Sequence, residues 1–331
     1  MVRGESLRKA DAGSGGTDAF AFDPLRRREV KATVFKQKWR QERSNHIMLL
    51  PGVVFLFLFS YVPMFGIIIS FQKYYPTKGF FDSEWVGLEN FQYIFDLPDF
   101  SRVLWNTVFI ATMKIILHLI VPIVTALLLN EIRSALFKRS VQTLIYLPYF
   151  LSWVILAGIL MDILSLKGIV NQMIEALGMQ SVFFLGDNNW FPWTLIISDT
   201  WKQFGFDTII YLAALTGINP TLYEAAVIDG ANRWKQTLHI TLPGMAPIIV
   251  LMMTLSLGNV LNAGFDQVFN LYSAPVLESG DILDTMIYRI GLQDYQFSVS
   301  AALGLFKSLV SFVLVSVSYG LAYRFANYRI F

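Results

Sequence analysis

Four ionisable side chains lie within stretches of sequence that are otherwise apolar. Lys114 and His118 are four residues apart, and Asp199 and Lys202 are three residues apart, so each pair would share one face of a helix. Ionisable groups in apolar surroundings are costly, and they usually face a cavity or a partner. The two pairs are equally consistent with a polar path for a solute and with structural pairing. Such pairing could join Asp199 to Lys202, or a lysine to a neighbouring helix.

Aromatic and acidic side chains extend this candidate set. Trp201 and Phe265 could stack on the rings of a solute, although aromatic residues near helix ends are more often anchors at the membrane interface. The basic residues of the two pairs would suit an acidic solute. Asp199, Asp207 and Asp266 nearly balance them, so charge alone does not choose the solute.

The sequence predicts no catalytic residue, no metal site and no cofactor bound by this chain. It contains no cysteine, and its three histidines, His46, His118 and His239, are too scattered for a metal-binding motif. It has no His-Glu-x-x-His or Gly-x-Ser-x-Gly motif, which argues against a membrane enzyme. It also lacks the Gly-x-x-x-x-Gly-Lys-Ser/Thr loop that cradles nucleotide phosphates, so any ATP must be bound by a partner.

Membrane helices must hold these residues in place. Of the 331 residues 55% are hydrophobic and only 15% are charged, and the mean hydropathy is +0.51, as in a polytopic membrane protein. Crossing the hydrocarbon core takes about 20 apolar residues. Six segments meet that length: 47–72, 103–130, 141–164, 191–216, 243–270 and 301–323. The sequence therefore predicts an all-α bundle of about six transmembrane helices over 47–331, preceded by a basic tail over 1–46.

The distribution of charge orients this bundle. Lysine and arginine are concentrated in the tail, in the loops 131–140 and 217–242 and at the C-terminus, whereas the loops 73–102 and 271–300 are acidic. Because basic loops stay on the cytoplasmic side, both termini are predicted to be cytoplasmic. The tail is interpreted as partly disordered and topogenic, although residues 24–45 could also lie as an amphipathic helix on the lipid surface. The net charge of +2 gives no reason to expect nucleic acid as a partner.

The loop 217–243 carries the most specific signal. Asn219-Pro220 predicts the start of a short helix, and Thr221 and Glu224 have the spacing of a capping box. The alanines after Glu224 would let another protein approach this helix closely. In the simpler alternative, the loop is an ordinary helical hairpin in which Glu224 only caps its own helix.

A turn and a second helix should follow. Asp229-Gly230 would end the first helix, because glycine readily takes a positive φ. The second helix would run to Leu242-Pro243, where the next apolar segment begins. The loop is therefore predicted to form a helix-turn-helix knob that projects from the membrane.

The spacing of this loop resembles the motif by which permease subunits of bacterial binding-protein-dependent ABC importers contact their ATPase subunits. The matching residues are Glu224, Ala225, Ala226, Asp229, Gly230, Ala231, Leu242 and Pro243. The resemblance implies that these residues couple the chain to ATP hydrolysis on another subunit.

The resemblance extends over roughly residues 47–331, to the carbohydrate-type permeases and particularly to the polysaccharide branch that includes alginate importers. The matching segments include Val86–Phe91, Asn106-Thr107, Tyr211–Leu215, Gly264–Gln267, Asp281–Arg289 and Ala301–Lys307. Gln267 thereby joins the candidate substrate path, which comprises Lys114, His118, Asp199, Trp201, Lys202, Phe265, Asp266 and Gln267.

What the resemblance implies is a subunit of the type I ABC importer fold in the bacterial cytoplasmic (inner) membrane. Its expected partners are a second homologous permease, two cytoplasmic ATPase subunits that bind ATP and Mg, and a periplasmic or extracellular solute-binding protein. The expected solute is an oligo- or polysaccharide, with an acidic glycan such as alginate as the candidate. A secondary transporter or channel for a polar solute is the rival hypothesis, since it could use the same buried charges.

Overall fold

The computed structural model of the chain describes Arg43 and residues 45–326, with side chains as far as Gly320. These residues are almost entirely helical, with one two-stranded sheet, as the sequence predicts. The chain divides into two units between Phe65 and Gly66. The predictions for the N-terminal tail fall almost wholly outside the described residues.

The first unit contains most of helix α1, Asn45–Phe71. A π turn at Phe57–Tyr61 comes just before Pro63, and the last part of the helix, Phe65–Phe71, is wound as a 3-10 helix. The helix agrees with the first predicted apolar segment.

The second unit begins with a short hairpin and a helix. Strand β1 (Gln72–Lys73) pairs antiparallel with β2 (Glu84–Trp85), and α2 (Glu89–Asp96) follows. Asn90 Nδ2 donates a hydrogen bond to the carbonyl of Ser70 at 2.9 Å, which ties α2 to the chain before the hairpin.

Long and short helices alternate through the rest of this unit. They are α3 (Phe100–Glu131), α4 (Ala135–Tyr146), α5 (Trp153–Ile163), α6 (Ile169–Ala176), α7 (Phe191–Thr216), α8 (Pro220–Ile228), α9 (Arg233–Gln236), α10 (Leu242–Leu257), α11 (Phe265–Leu271), α12 (Leu277–Gly280), α13 (Leu283–Tyr288) and α14 (Phe297–Ala326).

Helix α3 is at the centre of the buried core. Near its start, Val103 packs in a cluster with residues of α2, α13 and α14. In its middle, Ile110 packs with residues of α5, α7 and α11. Towards its end, Ala126 packs with Tyr211 of α7 and Met245 of α10. The middle section therefore brings α3, α7 and α11 together, and these helices carry all eight of the predicted path residues.

Four helices in the described part of the chain are long and apolar enough to cross a membrane. They are Asn45–Phe71, Phe100–Glu131, Arg233–Leu257 and Phe297–Gly320, and α4 with α5 adds a fifth if the pair crosses as one bent span. Helix α7, the predicted fourth crossing, has 26 residues but is not among them. It carries Asp199, Lys202 and Asp207. The number of six crossings stays a prediction.

The third predicted segment, 141–164, is not one helix as predicted. Helices α4 and α5 meet at an angle of 107°. Pro148 lies in the 3-10 turn between them, where a residue without an N–H cannot continue the α-helical hydrogen bonds. Ser152 then starts α5 by accepting a hydrogen bond from Ile155 N at 3.4 Å.

The fifth predicted segment, 243–270, is also wrong as a single helix. Helix α10 ends at Leu257, and α11 begins only at Phe265. Gly264, immediately before α11, has a φ of +94°. A residue in this left-handed conformation cannot lie inside a right-handed helix, so the segment is broken within its apolar stretch.

Candidate functional site

Helix α8 begins as the sequence predicts, although not through the predicted capping box. Asn219 Oδ1 accepts a hydrogen bond from Thr221 N at 3.1 Å, so Asn219 is the N-cap and Thr221 already lies inside the helix. The capping box assigned to Thr221 and Glu224 is therefore wrong. Pro220 occupies the first turn, where its missing N–H costs no hydrogen bond.

The predicted turn is centred on Gly230, whose φ is +72°. Gly230 N donates to the Val227 carbonyl at 3.1 Å, and Ala231 N donates to the Ala226 carbonyl at 2.8 Å. These bonds satisfy the last carbonyls of α8, as in other helix ends with a left-handed glycine. Asn232 then caps α9, which runs through a π turn directly into α10. We call α8, this turn and α9 the knob.

The knob exposes apolar side chains. Ile228 is 86% exposed and Trp234 is 71% exposed, and α8 contains no buried residue. Contiguous exposed apolar surface usually marks a site of protein interaction. Of the predicted coupling residues, Glu224, Ala225, Asp229, Gly230 and Pro243 are exposed, and Ala226, Ala231 and Leu242 are half-buried.

The knob is attached to the bundle at two points. Arg233 Nη1 lies 3.2 Å from Glu131 Oε2, at the end of α3. The hydroxyls of Tyr223 and Thr241 lie 3.0 Å apart, which links α8 to the π turn before α10. A displacement of the knob would therefore act on α3 and α10 directly.

A polar cavity of about 300 Å³ lies between α3, α7 and the segment that follows α10. Its lining includes Lys114, His118, Asp199, Gln203, Ser256, Asn259 and Asn262. Three of these residues, on α3 and α7, belong to the predicted path. The cavity therefore gathers the charged groups that the sequence places in separate apolar segments.

Lys114 makes the contacts that close one side of this cavity. Its Nζ donates to the carbonyl of Ala263 at 2.7 Å and to Oε1 of Gln267. Gln267, which is fully buried, donates to the Leu195 carbonyl at 2.7 Å and to Ser198 Oγ at 2.8 Å. These hydrogen bonds join α3 to the break before α11, to α11 itself and, through Gln267, to α7.

Asp199 supplies the opposite charge from α7. Its Oδ2 lies 3.6 Å from Lys114 Nζ and 3.3 Å from His118 Nε2. The geometry at His118 Nε2 does not form a hydrogen bond, and this buried atom has no hydrogen-bond partner among the described residues. His118 therefore lines the cavity with Nε2 held next to the Asp199 carboxylate.

The chain can be placed in a family on this geometry and on sequence similarity. Residues 118–327 match the model of the binding-protein-dependent transport system inner membrane component. The match covers well over half of the chain. The chain belongs to this family. It is accordingly a membrane subunit of a binding-protein-dependent importer. Several permeases similar to it transport saccharides.

Similar proteins narrow the class of cargo. The chain is 41% identical over 326 residues to the polygalacturonan/rhamnogalacturonan transport system permease protein YteP of Bacillus subtilis (strain 168), which covers 98% of this chain and 100% of that protein. It is 37% identical to Protein LplB of the same organism, over 88% of this chain and 92% of that protein. The permease is therefore of the carbohydrate type.

Solved structures agree with this assignment. The chain superimposes with a TM-score of 0.81 and 35% identity on a bacterial ABC transporter involved in the import of the acidic polysaccharide alginate, over 88% of this chain and 99% of that one. A second crystal structure, of a bacterial alginate ABC transporter in complex with an alginate pentasaccharide-bound periplasmic protein, gives a TM-score of 0.80 at 35% identity. The all-α bundle is thus that of a type I importer permease.

Lys202 does not pair with Asp199, although three residues separate them on α7. Its Nζ donates to the carbonyls of Tyr149 at 2.8 Å and Leu151 at 2.7 Å, at the bend between α4 and α5. The ammonium also lies 5.7 Å from the centre of the Trp153 ring. The bend leaves carbonyls without helical partners, and Lys202 satisfies two of them.

Three other predicted path residues lie away from the cavity. Trp201 lines an apolar pocket of about 210 Å³ together with Trp190 and Trp193. Phe265 packs against Tyr288, with ring centres 5.6 Å apart. Asp266 is exposed. Periodicity along one helix could not reveal these orientations, because they depend on how neighbouring helices pack.

Two asparagines of the cavity were missing from the predicted path. Asn259 and Asn262 lie in the break between α10 and α11 and contribute to the lining. Their amide groups can donate and accept hydrogen bonds, which suits a hydroxyl-rich solute. The sequence does show two polar residues within the apolar segment 243–270. Because the prediction treated this segment as one continuous helix, it did not place them at the cavity.

A second polar network joins the start of α3 to the residues 281–289, two of the segments that resemble the carbohydrate-type permeases. Asn106 Nδ2 donates to the Asp281 carbonyl at 3.2 Å, and Thr107 Oγ1 accepts from Leu283 N at 2.8 Å. Asp281 Oδ2 accepts from Arg289 Nη2 at 2.5 Å. Burial lowers the pKa of Arg289, but the hydrogen bond and charge of Asp281, together with smaller effects of Tyr272 and Asp294, outweigh it, so the net shift is upward. The ion pair between Arg289 and Asp281 therefore stabilises the fold fully at a pH below the ordinary arginine pKa. This contribution to the free energy of unfolding is lost only as the pH rises through the raised pKa of Arg289.

Proposed function

We propose that this permease carries an acidic oligo- or polysaccharide through the bacterial cytoplasmic membrane by ATP-driven alternating access. The observation that carries the proposal is the continuity of α3. It holds Lys114 and His118 at the polar cavity and Glu131 at the knob. His118 and Glu131 are separated by about 20 Å of helix at 1.5 Å per residue.

The knob supports coupling to separate ATPase subunits. Its exposed apolar face would be unfavourable in water unless a partner covers it. Its two attachments would pass a movement of that partner to the helices that line the cavity. ATP and Mg would be bound by two ATPase subunits, with both termini of this chain on the same, cytoplasmic side.

The remaining partners in this proposal are a second homologous permease and a solute-binding protein on the opposite side. A neighbour crystallised with a pentasaccharide-bound periplasmic protein supports the latter. Two similar proteins support an acidic solute: the alginate importer and the polygalacturonan/rhamnogalacturonan permease. The galacturonate units of polygalacturonan carry carboxylates. The cavity supplies His118 for a carboxylate and asparagine amides for hydroxyls.

The rival hypothesis, a secondary transporter or channel, explains the buried charges but not the exposed knob. The test is ATP hydrolysis and uptake in proteoliposomes that contain the chain alone or the full complex. We expect hydrolysis and uptake of an alginate oligosaccharide only with the ATPase, the second permease and the solute-binding protein present. Uptake by this chain alone under an ion gradient would contradict the proposal.

A further inference from the structure

A second cavity, of about 360 Å³, lies at the end of the bundle opposite the knob. It is formed by β1 and the residues after it, by α2, and by the chain that leads into α14. It shares no residue with the polar cavity around Lys114. Helix α3 runs from this end to the knob over 32 residues, about 48 Å at 1.5 Å per residue.

Tyrosines dominate the lining of this second cavity. Tyr74, Tyr75, Tyr93 and Tyr295 contribute to it, together with Phe297. A tyrosine offers a flat apolar ring and a hydroxyl that can donate or accept a hydrogen bond. A pyranose unit has the complementary character, because its C–H faces are apolar and its edges carry hydroxyls.

Polar side chains complete the lining. Lys73, Glu89 and Gln296 provide a cation, an acceptor and an amide. Among the residues that the structure describes, these three side chains make no hydrogen bond or ion pair with the protein. The donors and acceptors of the cavity are therefore available to a ligand.

The backbone at Tyr295 is strained. Its φ of +57° is the only positive value at a non-glycine residue in the described part of the chain. The side chain is 74% exposed, so burial of the ring does not offset this conformation. Tyr295 closes the end of the π turn Arg289–Gln293, and Gln296 N donates to the Ile290 carbonyl at 2.9 Å across it. This helix end fixes the direction of the ring at the cavity.

The walls of the cavity are fixed to one another. Tyr74 N donates to Ser298 Oγ at 2.9 Å, which ties the chain after β1 to the start of α14. The rings of Tyr74 and Phe297 meet edge to face with centres 6.3 Å apart. The cavity is thus largely formed before any ligand binds, as in most small-molecule sites.

We propose that this second cavity binds one or two units of the glycan before they reach the membrane-spanning part of the permease. Its volume lies at the lower end of the roughly 300–1,000 Å³ found for ligand sites. Lys73 would pair with a uronate carboxylate, and Glu89 would accept from sugar hydroxyls. The aromatic rings and unpaired polar groups of the lining favour a sugar unit as the occupant, and docking of a protein loop is the alternative outcome of the test. The inference rests on the proposed function.

The test measures glycan binding without the solute-binding protein. Complexes of both permeases and the ATPases in nanodiscs are titrated with an alginate tetrasaccharide, and binding is followed by saturation-transfer NMR and calorimetry. Tyr295→Gly removes the ring and suits the positive φ, and Tyr93→Ala removes a ring from α2. Each should weaken binding by about three- to tenfold, the usual range for one aromatic contact.

Phe81→Ala is the matched control. Phe81 is fully exposed on the same hairpin and does not line the cavity. It should leave tetrasaccharide binding unchanged. Equal affinities for Tyr295→Gly, Tyr93→Ala and the parent, or no binding to the parent complex, would overturn the inference.

ATP hydrolysis separates this inference from the proposed function. If no acidic glycan delivered by the solute-binding protein stimulates hydrolysis by the parent complex, the proposed function is wrong. If hydrolysis is stimulated but both tyrosine variants bind the tetrasaccharide with the affinity of the parent, only the cavity assignment is wrong. Tyr295→Gly could also bind the glycan normally but need a higher concentration of the solute-binding protein to stimulate hydrolysis. That result would show that the cavity is a docking surface for this protein and not a glycan site.

Discussion

Lys114 on α3 donates a hydrogen bond to the main-chain carbonyl of Ala263, in the break between α10 and α11. A helix that is interrupted within an apolar region leaves carbonyls that neighbouring side chains must satisfy. Gly264, the next residue, leaves room for the ammonium, since a Cβ there would lie 3.1 Å from Lys114 Nζ. Lys114 therefore stabilises the break, and its ammonium is not available to a solute.

The first prediction concerns the stability of this break. Lys114→Met removes a buried cation and leaves Asp199 without its lysine partner. Breaking a buried ion pair in this way costs about 3–5 kcal/mol. We expect the free energy of unfolding of the purified complex to fall by a large part of that amount, measured by denaturation in detergent.

The control combines Lys114→Met with Asp199→Asn. The double variant no longer buries a carboxylate that has lost its lysine partner and keeps only His118 beside it, so part of the lost stability should return. If the double variant is no more stable than Lys114→Met alone, the ion pair does not stabilise the complex as argued.

The second prediction concerns the knob. Ile228→Asp places a charge on the most exposed apolar position of α8, which no other part of the described chain covers. The fold of the permease should be unaffected, because the side chain has little packing to lose. Binding of the ATPase subunits should fall by about tenfold or more, since a charge is desolvated in the contact. Pull-down and solute-stimulated hydrolysis measure the loss.

Leu177→Asp serves as the comparison for Ile228→Asp. Leu177 is strongly exposed and follows α6, far from the knob in sequence. The substitution should leave ATPase binding intact. If both variants bind the ATPase subunits equally well, the knob is not the surface that contacts these subunits.

The knob could be predicted almost completely from the sequence, because its signals are local. Asn219, Pro220 and Gly230 each act through their own backbone positions, and all three do so in the structure. The error at Thr221 and Glu224 has a local cause, since the stronger Asn219 cap starts the helix two residues earlier.

The cavity could be predicted only in part. The charges of Lys114 and Asp199 on apolar segments are visible in the sequence, but their partners depend on which helices pack together. Lys202 shows the limit, because its carbonyl acceptors at Tyr149 and Leu151 exist only after α4 and α5 have bent. The break after Leu257 was missed although Gly258, Asn259, Asn262 and Gly264 lie in it, because the prediction treated these residues as part of one long apolar segment.

The third prediction concerns orientation. The chain has no cysteine, so single cysteines report without background. Phe81→Cys and Leu177→Cys should react with an impermeant thiol reagent in intact spheroplasts, because six crossings with a cytoplasmic N-terminus place their loops outside. Leu136→Cys and Ile228→Cys should react only after permeabilisation. The reverse pattern would place the knob on the side without ATP.

The last prediction concerns the solute. A carboxylate that enters the polar cavity would meet the His118 imidazole, which lines the cavity beside Asp199, whereas Lys114 and Lys202 are occupied by carbonyls. His118→Gln should lower hydrolysis stimulated by an alginate oligosaccharide by about tenfold, as expected for one hydrogen bond to a charged group. Trp201→Phe should have little effect, because Trp201 lines a different pocket. Full stimulation in His118→Gln, with assembly intact, would show that the acidic groups of the solute take another route.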